Sequence, residues 1–280
     1  MISLFDNRKA AVLSALLVWL SVLPVSAESY DATGSTTEQE VQLRLGASFT
    51  KKWHNGLRLS ISEDLRFGMY GHLSGTDAKA TAVDTTYSPM FDKSYTSISL
   101  GYAPIPYFKV DAGYTLRILG RKNLENTAKF LRHRVFMSVT GAYKNEYLKL
   151  YVRERALLEM RTDSVNPLEK NRFNWLLRSR VGADFTVLGK PVKPYLWVEL
   201  ENTLNAPEYQ QRDGKQFISH VRTQAGVHWR ITRLSALDFY YRFTYGYDRD
   251  VNVTKKKSLV ELTEETLFQH AVGVTYNLDW

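Results

Sequence analysis

The sequence predicts an all-β protein, an up-and-down antiparallel transmembrane β-barrel of ten to twelve strands, with twelve favoured. Three observations predict it. Apolar and polar residues alternate with period two over most of the chain after Glu38. The connections between the alternating runs switch regularly between short turns and long polar segments. The chain also ends on an alternating run closed by an aromatic residue, with Val272, Val274, Tyr276, Leu278 and Trp280 at every second position. Period-two alternation is the mark of strands with one apolar and one polar face.

At the N-terminus, residues 1–9 are polar and carry Arg8 and Lys9, Ala10 to Leu23 are almost wholly apolar, and Pro24-Val25-Ser26-Ala27 supplies small residues. This is the three-part layout of a secretory signal peptide. The apolar run falls short of the roughly 20 residues a spanning helix needs. The expected organisation is a cleaved signal peptide over residues 1–27 and one barrel domain over 28–280, in the outer membrane of a Gram-negative cell.

Composition agrees. Hydrophobic residues make up 44% of the 280, yet the mean hydropathy of −0.32 is too polar for a bundle of membrane helices. The 17 Tyr against 13 Phe and 6 Trp suit surfaces that are half apolar and half wet. The absence of Cys removes disulfides, thiolate metal sites, Cys catalysis and a lipid-anchored cysteine. The net charge of +8 does not point to nucleic acid, because Lys and Arg are spread along an exported chain.

The alternation begins with Val41, Leu43, Leu45, Ala47 and Phe49, is interrupted by the hairpin signal His54-Asn55-Gly56, and resumes with Leu57, Leu59, Ile61, Leu65 and Phe67. Further strands are expected near 94–103, 107–118, 130–143, 147–160, 171–187, 192–204, 216–231, 235–247 and 266–279. Short turns fall at 52–56, 103–106, 144–146, 188–191 and 232–234. Long polar loops fall at 70–93, 119–129, 161–170, 205–215 and 248–265. Outer-membrane barrels have this asymmetry, with short periplasmic turns and long outer loops.

A soluble barrel alternates too, so the contents of each face decide. The polar face carries many Arg, including Arg44, Arg66, Arg132, Arg155 and Arg242. Several runs reach 12 residues, enough for a tilted crossing. Aromatics gather near strand ends: Tyr143, Tyr147, Trp229 and Trp280 by the short turns, and Phe67, Tyr70, Phe173, Trp175, Phe217, Tyr245 and Tyr247 toward the long loops. Two aromatic girdles are expected of a membrane barrel. The apolar face of the last strand is then expected to meet lipid, with Trp280 at the periplasmic rim.

The run Leu131-Arg132-His133-Arg134, the Arg-x-Arg at Arg153 and Arg155, Leu-Arg-Ser-Arg at 177–180, the Tyr195 to Glu201 strand and Phe239-Tyr240-Tyr241-Arg242 together resemble the outer-membrane family called domain of unknown function 2490. The resemblance covers most of the mature chain. It implies an outer-membrane β-barrel and brings no reaction and no functional residues. The runs number eleven, whereas single-chain bacterial barrels have an even count with both ends in the periplasm. A short first strand within Glu28–Thr37, or one run lying outside the wall, would restore parity.

One constellation stands out. Centring the 188–191 turn between Gly189 and Lys190 places Arg180 opposite Glu199 and Arg178 opposite Glu201, and the following strand brings His220 and Arg222 alongside. An interior salt-bridge ladder of Arg178, Arg180, Glu199, Glu201 and Arg222 is the expected reading. Arg neighbours hold carboxylates charged, which handicaps a general acid. An Arg-rich lumen favours anions. Of the six His, His133 and His270 fall in the apolar register, and His228 faces Asp238 across the 232–234 turn without a nucleophile in a convincing triad. No spacing suggests a metal site or a cofactor.

The expected function is that of a non-enzymatic envelope barrel, either a narrow solute conduit or a structural component. A membrane-embedded lipid-modifying hydrolase and a surface-binding protein acting through the 70–93 and 248–265 loops are the alternatives. Expected partners are outer-membrane lipid, the barrel-assembly machinery and small anionic solutes, with no nucleic acid.

Overall fold

The computed structural model describes residues 32–77, 79, 81–87, 90–120, 131–162, 166–211, 217–253 and 259–280. The expected signal peptide and Glu28 to Asp31 lie outside the described residues. The strands are β1 (Gly34–Lys52), β2 (Leu57–Thr76), β3 (Ala82–Tyr87), β4 (Met90–Ile105), β5 (Phe108–Leu119), β6 (Leu131–Lys144), β7 (Leu148–Arg161), β8 (Phe173–Phe185), β9 (Val192–Thr203), β10 (Phe217–Arg230), β11 (Ser235–Val253) and β12 (Leu259–Asp279). A 3-10 turn, Glu208–Gln210, interrupts the β9–β10 connection.

Eleven of the twelve strands form the closed wall. Each pairs antiparallel with its neighbour from β1 through β2 and β4 to β12, and β3 adds only to the upper end of β2, from Gly71↔Tyr87 to Thr76↔Ala82. The ring closes between β1 and β12 in parallel, from Gly34↔Thr263 to Thr50↔Asp279. An up-and-down wall of odd count leaves its first and last strands running the same way, so a parallel seam is the geometric consequence. The expected even parity is therefore corrected. The twelfth strand is β3, which stands outside the wall, and no separate strand precedes β1 among the described residues. β1 starts at the rim that carries the long connections.

All five short turns lie at the other rim. Gly56, at φ 84°, closes the β1–β2 turn, where Asn55 Oδ1 accepts from Leu57 N at 3.1 Å. Two of the expected long loops prove to be largely strand. Residues 70–76 and 82–87 continue β2 and form β3, while β11 and β12 stay paired up to Val253↔Leu259. Their polar composition hid them, since beyond an apolar wall neither face of a strand needs to be greasy. On this extension Val251, Val253 and Leu262 form a small buried cluster, against which Leu168 and Tyr209 pack.

The wall is apolar outside and polar inside. Ile98, Leu100, Met137, Val181 and Val272 are exposed, whereas Gln42, Arg44, Ser138, Glu199 and Glu201 are buried. Trp280 is 62% exposed, the reverse of a core position. Tyr143, Tyr147, Trp229, Tyr70, Phe173, Trp175 and Tyr245 are exposed at the strand ends, as girdles require. Tyr247 is not a girdle residue: it is buried, with its hydroxyl donating to Glu264 at 2.9 Å. Of Phe217 only the backbone is described.

Inside, bulky rings on β7, β9 and β11 each lie over a glycine directly opposite. Tyr151 covers Gly182, Tyr195 covers Gly226 and Tyr240 covers Gly273. A Cβ at any of the three glycines would collide with the ring. The glycines thus let large polar aromatics lie flat along the wall instead of blocking the lumen.

Candidate functional site

The tight β8–β9 connection sets the register of the charged ladder. Gly189 takes φ 69°, and Lys190 N donates to Val187 O at 3.1 Å. From there the pairing runs to Arg180↔Glu199 and Arg178↔Glu201, and β10 places Arg222 opposite Glu199 and His220 opposite Glu201. Period two then points all of these side chains to one face.

The predicted residues meet directly. Arg180 Nη2 lies 2.7 Å from Glu199 Oε2 and Arg178 Nε contacts Glu201 Oε2. Arg222 bridges the two acids, at 3.2 Å from Glu199 and 3.1 Å from Glu201. His220 Nδ1 lies 3.1 Å from Glu201 Oε1. Both carboxylates are buried, at 2% and 4% exposure. A buried carboxylate is tolerated only with such partners.

Sequence reading missed two members. Arg153, one strand over on β7, reaches Glu199 at 3.2 Å. Arg155, opposite Arg178, reaches no carboxylate among the described residues and rests its guanidinium 4.3 Å from the Phe136 ring centroid. A strand paired across a long loop cannot be placed by centring a turn, so their proximity left no mark in the sequence. A second centre was also missed. Glu159, 3% exposed, pairs with Arg134, with Arg132 at 3.1 Å and with Arg117 at 3.6 Å.

Apart from Arg153, these groups line a chamber of about 510 Å³ within the barrel. Among the described residues twelve basic and five acidic side chains face it, so the ion pairs leave a large positive excess. Several cations also sit directly opposite one another in the strand register: Arg44 with Arg66, Arg66 with Lys93, Arg117 with Arg132, Arg132 with Arg161, Arg153 with Arg180, and Arg155 with Arg178. Like charges placed directly across a ladder repel. Buried guanidinium nitrogens without a partner among the described residues, including Nε of Arg117, Arg155 and Arg161, add to the unmet donors of this chamber.

The geometry also bears on the histidines. A bulge between Ile218 and His220 turns Ser219 toward the ladder, and its Oγ lies 3.2 Å from His220 Nδ1. The same nitrogen is the one that meets Glu201. A Ser–His–acid relay needs both ring nitrogens, one for each partner, so this contact does not assemble one. On the outer face, His133 Nδ1 meets the Tyr114 hydroxyl at 2.5 Å and His270 Nδ1 meets that of Tyr241 at 2.6 Å. His228 does face Asp238, whose carboxylate accepts instead from Tyr195 at 3.0 Å. No group of three or more His, Cys, Asp or Glu fit to hold a metal occurs among the described residues.

A family model described as "Protein of unknown function (DUF2490)" matches residues 45–255. Among solved structures the chain is similar to one titled "NanC porin structure in rhombohedral crystal form", at 9% identity and a TM-score of 0.40, covering 83% of this chain and 97% of that one. A comparison with curated proteins returns no match.

Proposed function

The chain belongs to the DUF2490 family of proteins of unknown function, and we propose that this member is an outer-membrane barrel that passes small anionic solutes and performs no catalysis. The membrane part rests on the inside-out distribution of side chains. Large apolar residues cover the outer face of the wall while arginines and carboxylates fill the inside, and strands of 12 residues or more are long enough for a tilted crossing. The short-turn rim, with Trp280, is then periplasmic, and the long connections face outward. The N-terminal segment acts as the cleaved export signal. Outer-membrane lipid is the first partner, and the assembly machinery reads the aromatic-ended β12.

The anion preference rests on one observation: cations face cations in the strand register of the chamber wall. Such an arrangement is relieved by a mobile negative charge more than by any further protein contact, and rings of Arg favour anions in pores. The ladder Arg178, Arg180, Glu199, Glu201 and Arg222 is then the scaffold that holds the guanidiniums in place.

Single-channel recording of the purified protein in planar bilayers under a potassium chloride gradient tests this. The expected result is a small conductance whose reversal potential reports anion preference, and Arg155→Gln is expected to weaken that preference. Absence of conductance, or a cation-selective reversal potential, overturns the proposal.

A further inference from the structure

A second cavity of about 440 Å³ lies on the β7–β11 side, toward the short-turn rim, with Tyr151, Asp184, Tyr195, His228 and Asp238 among its walls. Among the described residues Arg180 and Arg242 alone line both cavities, and Trp197 lines the second. Between these two guanidiniums stands the indole of Trp197. Its ring centroid is 3.7 Å from the Arg180 guanidinium carbon and 5.2 Å from that of Arg242, and the residue is 4% exposed.

The register explains the assembly. Trp197 pairs with Gly182 on β8 and with Gln224 on β10. Gly182 offers no side chain to prop the indole, so Arg180, two positions along the same face, covers it. Gln224 faces Arg242 on β11 and accepts from its Nε at 2.7 Å, which holds that guanidinium beside the indole. Arg242 reaches no carboxylate among the described residues. Arg180 already commits Nε and Nη2 to Glu199, whereas Arg242, beside the ring, keeps its Nη edge available to an oxyanion.

We infer that Trp197 with Arg180 and Arg242 forms a partition between the two cavities, and that Trp197 is the residue that limits which anions pass. The inference rests on the conduit reading above and gives it a location. The solutes it fits carry a carboxylate or phosphate. Their oxygens engage Arg242, with Arg180 adding its positive charge, while the indole sets the free width.

The chain has no native cysteine, so a single introduced thiol reports cleanly. Bilayer conductance is measured for the wild type, Trp197→Ala and Trp197→Phe. In parallel, Thr115→Cys, in the wall of the 510 Å³ chamber, and Lys193→Cys, in that of the second cavity, are exposed to a bulky anionic thiol reagent from the long-loop side. The expected result is a conductance raised about threefold or more by Trp197→Ala, with a smaller rise for Phe, which retains most of the volume and serves where Ala does not fold. The chamber thiol should label in either background, and the second-cavity thiol only when Trp197 is truncated. Conductance unchanged by both substitutions, with the second-cavity thiol labelled equally beside an intact Trp197, overturns the partition and leaves the conduit standing. Labelling as expected with no current from any variant upholds the partition and overturns the conduit.

Discussion

On the β7–β10 side of the lumen, buried charge meets opposite charge directly. Glu199 is shared by Arg153, Arg180 and Arg222 at 2.7–3.2 Å. At the β12–β1–β2 seam the same problem is met through amides. Arg44, only 2% exposed, makes no ion pair among the described residues. Its Nε and Nη2 donate to Gln42 Oε1 at 3.2 and 3.0 Å, and Nη2 also to Gln269 Oε1 at 2.6 Å. Those amides in turn donate to Asp92 at 2.7 Å and Glu40 at 2.6 Å. The acids stand one amide away from the cation. The ladder concentrates charge in single contacts, whereas the seam spreads it over a relay, and loss of one member should weigh differently in each.

The largest difference is expected from Glu199→Gln set against Arg44→Met. Removing Glu199 leaves three guanidiniums buried around a neutral amide, a loss of about 3–5 kcal/mol for a broken buried pair. Removing Arg44 forfeits hydrogen bonds but also a desolvated cation, and the two glutamines can turn to each other. A loss of about 1 kcal/mol is expected. Urea unfolding of both variants in one detergent checks the order. Arg44→Met proving the more damaging would mean that the relay, not the ladder, anchors the lumen.

Packing should treat the two sides alike, which sharpens the contrast. Gly182→Val on the ladder side and Gly273→Val at the seam each force a side chain into a ring, that of Tyr151 or Tyr240. Overpacking of this kind costs about 1–3 kcal/mol. Thermal unfolding should show similar losses for the pair, and a loss confined to one would show that side to be the more rigid.

The same contrast governs what could be read without coordinates. The pairs Arg180–Glu199 and Arg178–Glu201 were legible because a short turn with Gly189 fixes the register of everything on its two strands. The seam was not. β1 meets β12 across more than two hundred residues, and no turn ties Arg44 to Gln269. Arg153 and Arg155 stayed hidden for a milder version of that reason, since β7 reaches β8 through a long connection. The outer extension reads as loop in the sequence because alternation advertises a strand only where one face is apolar along its length. Here the only apolar stretch among the described residues is the short cluster of Val251, Val253 and Leu262, set among Asp248, Asp250, Glu264 and Glu265.

The smallest effect is expected at that extension. Glu265 lies 15 residues before Trp280, beyond the roughly 9–11 residues a crossing uses, directly opposite Asp248. Desolvation between the paired strands, on the face opposite the Val251–Leu262 cluster, with Asp248 and Asp250 adding negative charge, pushes its carboxyl up to about 7, against the pull of Lys170. Asp248, which lines the chamber, is raised with desolvation as the first cause. A carboxyl whose folded value is raised binds its proton more tightly folded than unfolded. Its contribution is therefore full below the unfolded value of about 4.3 and is lost as pH rises through about 7. The hairpin should open more readily at pH 8 than at pH 6. Because Glu265 also faces solvent, water screens the repulsion and the change should stay below about tenfold. Amide hydrogen-exchange protection over 248–253 and 259–265, corrected for intrinsic rates, reads it out. Glu265→Gln should flatten the pH dependence, since an amide cannot lose the proton. A slope that survives the substitution would move the cause to Asp248.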